Sequence, residues 1–177
     1  RYFFQVSPDI EKLSAAKTIR RDIQQGRVLF HYIGYGFPNI GENIYSYDKR
    51  TSSYENYPLR VLFDSLKTPA WFVFDCNNAE SALITLQKTA ELHMRVNDQS
   101  CKWNDWICFC ATGVDEQLPI GPHLPKDFLT SCLLTPTRIA LLCHLLQYYR
   151  TKLINDNSEM CDLESRLLCC EVDGKLT

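Results

Sequence analysis

Cys76 stands where a thiolate nucleophile would be placed. It follows the apolar run Trp71-Phe-Val-Phe74 and Asp75, and it precedes Asn77, Asn78 and a stripe of alanines and leucines at helical spacing. A cysteine at a strand end that leads into a helix meets the backbone N–H groups of the first turn, which lower a thiol pKa and can hold an oxyanion. A thiol hydrolase of this design also needs an activating imidazole from the loop after a neighbouring strand. The loop in that position is Gly34-Tyr35-Gly36, 41 residues upstream of Cys76 (76 minus 35). Its central residue is a tyrosine, and a phenol titrating near ~10 is no neutral-pH base for a thiol. His31 lies inside the preceding strand rather than on its end loop. Residues alternate faces along a strand, so His31 is read as a core histidine and not as a replacement base.

The elements that must hold these residues alternate between helix and strand. Ser7 and Pro8 read as an N-cap and first helical residue, followed by Ile10, Leu13, Ala16, Ile19 and Ile23 at helical spacing and a stop at Gly26. Residues 27–33 form a short apolar run and predict a buried strand, and residues 34–38 a loop. Gly41 to Tyr47 predicts a short strand, Lys49 to Tyr57 a polar connection, and Pro58 the start of a helix with Leu59, Leu62, Phe63 and Leu66 inward. Trp71–Phe74 is the next strand, ended by Asp75-Cys76-Asn77-Asn78; a helix follows with Ala79, Ala82, Leu83, Leu86 and Ala90 on one stripe. After a polar loop over 96–102, Trp106-Ile-Cys-Phe-Cys-Ala111 predicts a third buried strand. Residues 113–127 hold five Gly or Pro breakers, too many for a regular element. Thr135-Pro136 opens a helix with Ile139, Leu142, Leu145, Leu146 and Tyr149 inward, and a short amphipathic helix is expected around Leu163, Leu167 and Leu168. The fold class is α/β, with a mainly parallel sheet flanked by helices. Such sheets gather ligand groups at the carboxyl ends of their strands, which selects the loops after Ile33 and Phe74.

Composition bounds what else the chain does. The 177 residues are 45% hydrophobic and 23% charged, as in an ordinary globular domain, and the net charge of −2 gives no electrostatic case for nucleic acid. No run of eighteen apolar residues suggests a membrane span, and no signal-peptide pattern follows Arg1; without an initiator Met the chain is expected to be part of a longer protein. Nine cysteines, an odd number, are read as reduced thiols of a cytosolic protein. Cys108 and Cys110 with His123 or Cys132 are weighed as a zinc site and set aside, because no second closely spaced pair follows. No metal and no cofactor are expected.

Three strings bring a specific resemblance. Arg27-Val-Leu-Phe-His-Tyr-Ile-Gly-Tyr-Gly-Phe-Pro38 resembles R-V-L-F-H-Y-N-G-H-G-V-P of the raptor family. Phe72-Val-Phe-Asp-Cys-Asn-Asn-Ala79 is similar to its F-V-Y-D-C-S-N-A, and Thr130-Ser-Cys-Leu-Leu-Thr-Pro-Thr-Arg-Ile-Ala-Leu141 to its T-S-C-L-T-T-P-I-K-I-A-L. Leu124-Pro125, Gly41-Glu42 and Tyr57-Pro58-Leu59 fit as well, so the matches run in order from about residue 17 to 146. The resemblance implies a caspase-like three-layer sandwich over residues 1–155, a first strand preceding Arg1, and an extension over 156–177. It places Cys76 at the pseudo-nucleophile position and Tyr35 at the histidine position, with Ile33 replacing the asparagine before the first glycine. Caspases carry their histidine about fifty residues before the cysteine, so the spacing is suitable, but with Tyr35 in that place the dyad is broken. The domain is expected to have no enzymatic activity; the rival reading is a caspase- or separase-type cysteine peptidase with a relocated base.

By the same resemblance, the expected function is that of a scaffold in TOR complex 1 that brings substrates to the kinase in nutrient-responsive growth signalling. The implied partners are the TOR kinase, its small propeller subunit, substrates with a TOR-signalling motif, and small GTPases. The implied location is the cytoplasm and the lysosome or vacuole surface, without membrane insertion. Tyr35, Phe37, Asn77 and Asn78 are the candidate contact residues; Tyr35 either projects as an anchor or folds into the old pocket. Trp71, Trp103 and Trp106 are read as core, and His93 and His144 as surface or packing residues; His123 lies in the Pro/Gly-rich loop, where a binding role is open. Lys17, Arg20 and Arg21 are read as a solvated helix face.

Overall fold

The computed structural model describes residues 16–34, 40–48, 51–96, 102–119, 121 and 124–156. Tyr35, Phe37, His123, the Ser7-Pro8 helix start and the helix expected beyond residue 156 lie outside them. The chain divides into two compact units, Arg1–Thr130 and Ser131–Thr177.

In the first unit, α1 (Ala16–Ile23) leads into β1 (Val28–Gly34). A hairpin follows, β2 (Asn43–Asp48) and β3 (Ser53–Pro58), then α2 (Leu59–Leu66), β4 (Ala70–Cys76), α3 (Glu80–Arg95), a single 3-10 turn (Trp103–Asp105) and β5 (Trp106–Cys110). The helix α4 (Phe128–Leu134) carries the chain into the second unit, which contains α5 (Pro136–Asp156). As the proline signals predict, α2 starts directly after Pro58 and α5 at Pro136.

The sheet has the order β1-β4-β5, and both pairings are parallel. Strand β4 takes the centre, paired along both edges, and six of its seven residues are buried. Phe72 and Phe74 point into the core with Leu59, Leu62, Phe63 and Leu66 of α2 and Ala82, Leu86 and Ala90 of α3. Phe63 meets Phe72 edge-on at 4.9 Å, and Trp106 closes the cluster at 6.4 Å from Phe72. The opposite face presents Leu29 (60% exposed), Ile33 (50%), Trp71, Ile107 and Phe109, and the first turn of α4 closes its carboxyl end over Asp75. Trp106 is thus core, whereas Trp71 is partly exposed with the Arg27 guanidinium 5.6 Å from its ring centroid.

Three local expectations change. Residues 49–57 are not only a connection, because Ser53–Pro58 pairs antiparallel with Asn43–Asp48 and buries Tyr57 opposite Ile44. Asp75 and Cys76 continue β4 instead of ending it, because β1 extends to Gly34 and supplies pairing partners for both. Arg20 is no part of a solvated face: it is 8% exposed. Its Nε donates to the Leu66 carbonyl, Nη1 to those of Gln24 and Gly26, and Nη2 to that of Pro69. The guanidinium thereby sits at the C-terminal ends of α1 and α2, where unpaired carbonyls and two helix dipoles accommodate a cation without a carboxylate.

Candidate functional site

The parallel register of β1 and β4 sets Gly34 directly beside Cys76. The two strand-end loops singled out in the sequence therefore start from adjacent points at one edge of the sheet. Cys76 shares its face with Phe72 and Phe74, and with Tyr32 and Phe30 of β1, because paired residues in a parallel sheet point the same way. His31 is paired with Val73 and faces the other side. It is therefore no base for Cys76, and it is no core residue either: it is exposed on the open face, within 2.9 Å of the Thr130 hydroxyl.

That hydroxyl donates to the Asp75 carboxylate at 2.6 Å, so it accepts from Nε2 of His31. Asp75 is fully buried and also accepts from the backbone N–H groups of Thr130 (2.7 Å) and Leu129 (3.2 Å). A strand residue thus caps the helix α4 from a distance of more than fifty residues in sequence. The network anchors Leu129 and Thr130 to the sheet.

On the other face, Cys76 is almost fully buried, and burial pushes its thiol up to about 12, helped by the nearby Cys110 and Asp75 charges. The sequence placed this thiol against N–H groups that would lower its pKa; the structure spends those groups elsewhere. The Asn78 N–H donates to the Glu116 carbonyl (2.9 Å), that of Ala79 to the Thr112 hydroxyl (3.0 Å) and that of Glu80 to the Thr112 carbonyl (3.1 Å). The Thr112 hydroxyl in turn donates to the Cys76 carbonyl at 2.9 Å. An oxyanion hole needs donors aimed at open space. These three amides have none to offer.

Asn77 and Asn78 organise the same junction. Asn77 Oδ1 accepts from the Leu118 N–H (2.7 Å). Asn78 adopts φ 57, a left-handed conformation that asparagine tolerates. Its Oδ1 accepts from the Asp115 N–H and the Ser81 hydroxyl, and its Nδ2 donates to the Ile40 carbonyl at 2.6 Å. Both side chains hold the 111–118 loop and the β4–α3 turn together.

Tyr32 is the residue sequence reasoning missed. Its ring packs 6.4 Å from Phe74 and crosses the strand end so closely that a Cβ on Gly34 would come within 2.5 Å of it. Burial first, then the Cys76 and Tyr54 charges, pushes its phenol up to about 12. The period-two alternation Phe30, Tyr32, Gly34 carried the signal, but only a register with β4 turns it into a neighbour of Cys76. A neutral thiol beside a neutral phenol has no proton acceptor. Cys76 should accordingly be alkylated by iodoacetamide at pH 7.4 far more slowly in the folded chain than in urea, with a rate that climbs only as pH nears 12. Peptide mapping by mass spectrometry checks this, and equal folded and unfolded rates would contradict it.

Among the described residues, no group of three His, Cys, Asp or Glu side chains is placed to hold a metal ion, and no helix is long and apolar enough to cross a membrane. A cleft of about 250 Å³ lined by Arg60, Asp64, Thr89, Leu92, His93 and Val96 lies at the far end of α3 from Cys76. Within it, His93 Nε2 is 2.8 Å from Asp64 Oδ1.

Residues 1–86 match the family model of the Raptor N-terminal CASPase like domain. The chain is 37% identical over 145 residues to regulatory-associated protein of TOR 1 of Arabidopsis thaliana, covering 80% of this chain and 11% of that protein. It is 31% identical over 162 residues to target of rapamycin complex 1 subunit mip1 of Schizosaccharomyces pombe, covering 83% and 12%. The crystal structure of Chaetomium thermophilum Raptor superposes with a TM-score of 0.69 at 33% identity, over 81% of this chain and 14% of that one. The chain therefore spans about a tenth of the length of these curated relatives.

Proposed function

We propose, on the premise that this chain carries a raptor-type N-terminal caspase-like domain, that it serves as a non-catalytic scaffold module of TOR complex 1 and helps recruit substrates to the TOR kinase. The relative named as a target of rapamycin complex 1 subunit, and the one named as a regulatory-associated protein of TOR, support the complex. The observation that carries the non-catalytic part is the strand-end site itself: a buried Cys76 thiol raised to about 12, with the amides of the helix start already engaged. In this reading the domain is a pseudo-peptidase in which Tyr35 occupies the histidine position. Tyr35, Phe37, Asn77 and Asn78 are the residues this reading offers to partners. The expected partners of the whole protein are the TOR kinase, its small propeller subunit, motif-bearing substrates and small GTPases, met in the cytoplasm and at the lysosome or vacuole surface. In this reading residues 1–155 make the domain and 156–177 its extension.

Affinity capture of the tagged full-length protein from its own cells tests the assignment. Recovery of a TOR kinase with a small propeller subunit is the expected result; a capture without any TOR component, with the bait intact, overturns it. The peptidase rival has lost its candidate base, since His31 and Cys76 lie on opposite faces of the sheet.

A further inference from the structure

We propose that the tip of the β2–β3 hairpin is a phosphorylation site, with Ser52 as the acceptor for a protein kinase that reads cations ahead of its target. Lys49 and Arg50 stand three and two residues before Ser52. A kinase cleft lined by carboxylates pairs with basic side chains at such positions, which is how these enzymes sort substrates by charge. The chain has one other pair of adjacent basic residues, Arg20-Arg21. That pair offers no such site, because Arg20 is buried on backbone carbonyls and no serine or threonine follows before Ser46.

The fold presents the hydroxyl. Strand β2 ends at Asp48 and β3 starts opposite it at Ser53, so residues 49–52 connect the two. Thr51, Ser52, Ser53 and Tyr54 are all exposed. The Thr51 and Ser53 hydroxyls share a hydrogen bond of 2.7 Å, and Ser52 between them makes none among the described residues. Ser52 also holds φ 51, a left-handed conformation uncommon outside glycine, and opening the tip relieves it.

The tip can be drawn into a kinase cleft without disturbing the core. Strands β2 and β3 form a sheet of their own, and two strands alone are only marginally stable. The other end of the hairpin is well fastened. Ile44 and Tyr57 are buried there, the Glu42 carbonyl accepts from the Leu59 N–H at 2.9 Å, and the Ile40 carbonyl accepts from Asn78 Nδ2. Opening therefore starts at Asp48 and Ser53 and stops at the buried pair. In the transfer, the Ser52 oxygen bonds to the γ-phosphorus of a nucleoside triphosphate and the bond to the β–γ bridging oxygen breaks. The nucleoside diphosphate leaves and the hydroxyl proton is released. Residues 48–55 carry two acids and two bases, so a phosphate of about −1.5 to −2 turns a neutral tip anionic.

The test is incubation of the folded full-length protein with ATP and the catalytic subunit of cAMP-dependent protein kinase, followed by phosphopeptide mapping by mass spectrometry. Phosphate on Ser52 is expected, and Ser52→Ala should lose it. The double variant Lys49→Ala, Arg50→Ala keeps the serine and should slow incorporation there by about tenfold or more. The absence of phosphate from Ser52 overturns the proposal, whether or not Thr51 or Ser53 takes it. So does incorporation at Ser52 that is equally fast in the double variant.

Discussion

Asp75→Ala should lower the stability of the folded chain by about 3–5 kcal/mol, since it removes a charged acceptor from three hydrogen bonds at about 1.5–3 kcal/mol each before relaxation. The carboxylate has no exposure and accepts three hydrogen bonds, from the Leu129 and Thr130 amides and the Thr130 hydroxyl. Truncation leaves the Leu129 and Thr130 amides without their acceptor, and it removes an anion from the N-terminal end of α4, where the helix dipole favours one. Asp75→Asn keeps the shape but turns an NH₂ toward N–H donors, so about 1–3 kcal/mol is expected there. Urea denaturation at pH 7 measures both, and amide exchange at Leu129 and Thr130 should quicken ahead of global unfolding. A loss below about 1 kcal/mol for the alanine variant would mean that water replaces the carboxylate and that the network is not what fixes this segment.

Arg20→Met should cost a similar about 3–5 kcal/mol, because four charge-assisted hydrogen bonds to carbonyls are lost. Here one buried cation satisfies four carbonyls, drawn from the end of α1, the end of α2 and the turn into β4. Methionine preserves most of the apolar stem and removes the donors from all four carbonyls, of which that of Pro69 keeps the Val28 N–H. Arg20→Lys is the informative companion. It retains the charge near two helix C-termini but replaces a five-donor fork by a point donor, so it should recover less than half of the loss. Full recovery by lysine would assign the effect to the dipoles alone. Neither variant touches Cys76 or Tyr32, so Cys76 alkylation in the folded fraction should stay as slow as in the unsubstituted chain.

Much of this molecule is legible from the order of its residues. Apolar runs bounded by breakers mark all three strands of the sheet, prolines mark the starts of α2 and α5, and the alanine-leucine stripe marks the buried side of α3. The strings around Tyr35, Cys76 and Thr130 carry the family. These signals survive because they are local: periodicity, a fixed proline φ and a run of hydrophobic side chains need no distant partner to be recognised.

What the order of residues leaves open is every property set by a partner far along the chain. Arg20 looks like a solvated helix residue until the ends of two other elements bring four carbonyls around it. His31 looks like a core residue, and Tyr32 like its ordinary neighbour. Only the β1–β4 register turns His31 away from Cys76 and lays Tyr32 over Gly34. Asp75 looks like the end of a strand until α4 arrives to use it as a cap. The sequence by itself determined the elements, the family and the pair of loops at the strand ends. The tertiary structure decided the chemical state of what stands there, because burial and hydrogen-bond partners, not residue type, set whether a thiol ionises or an amide is free.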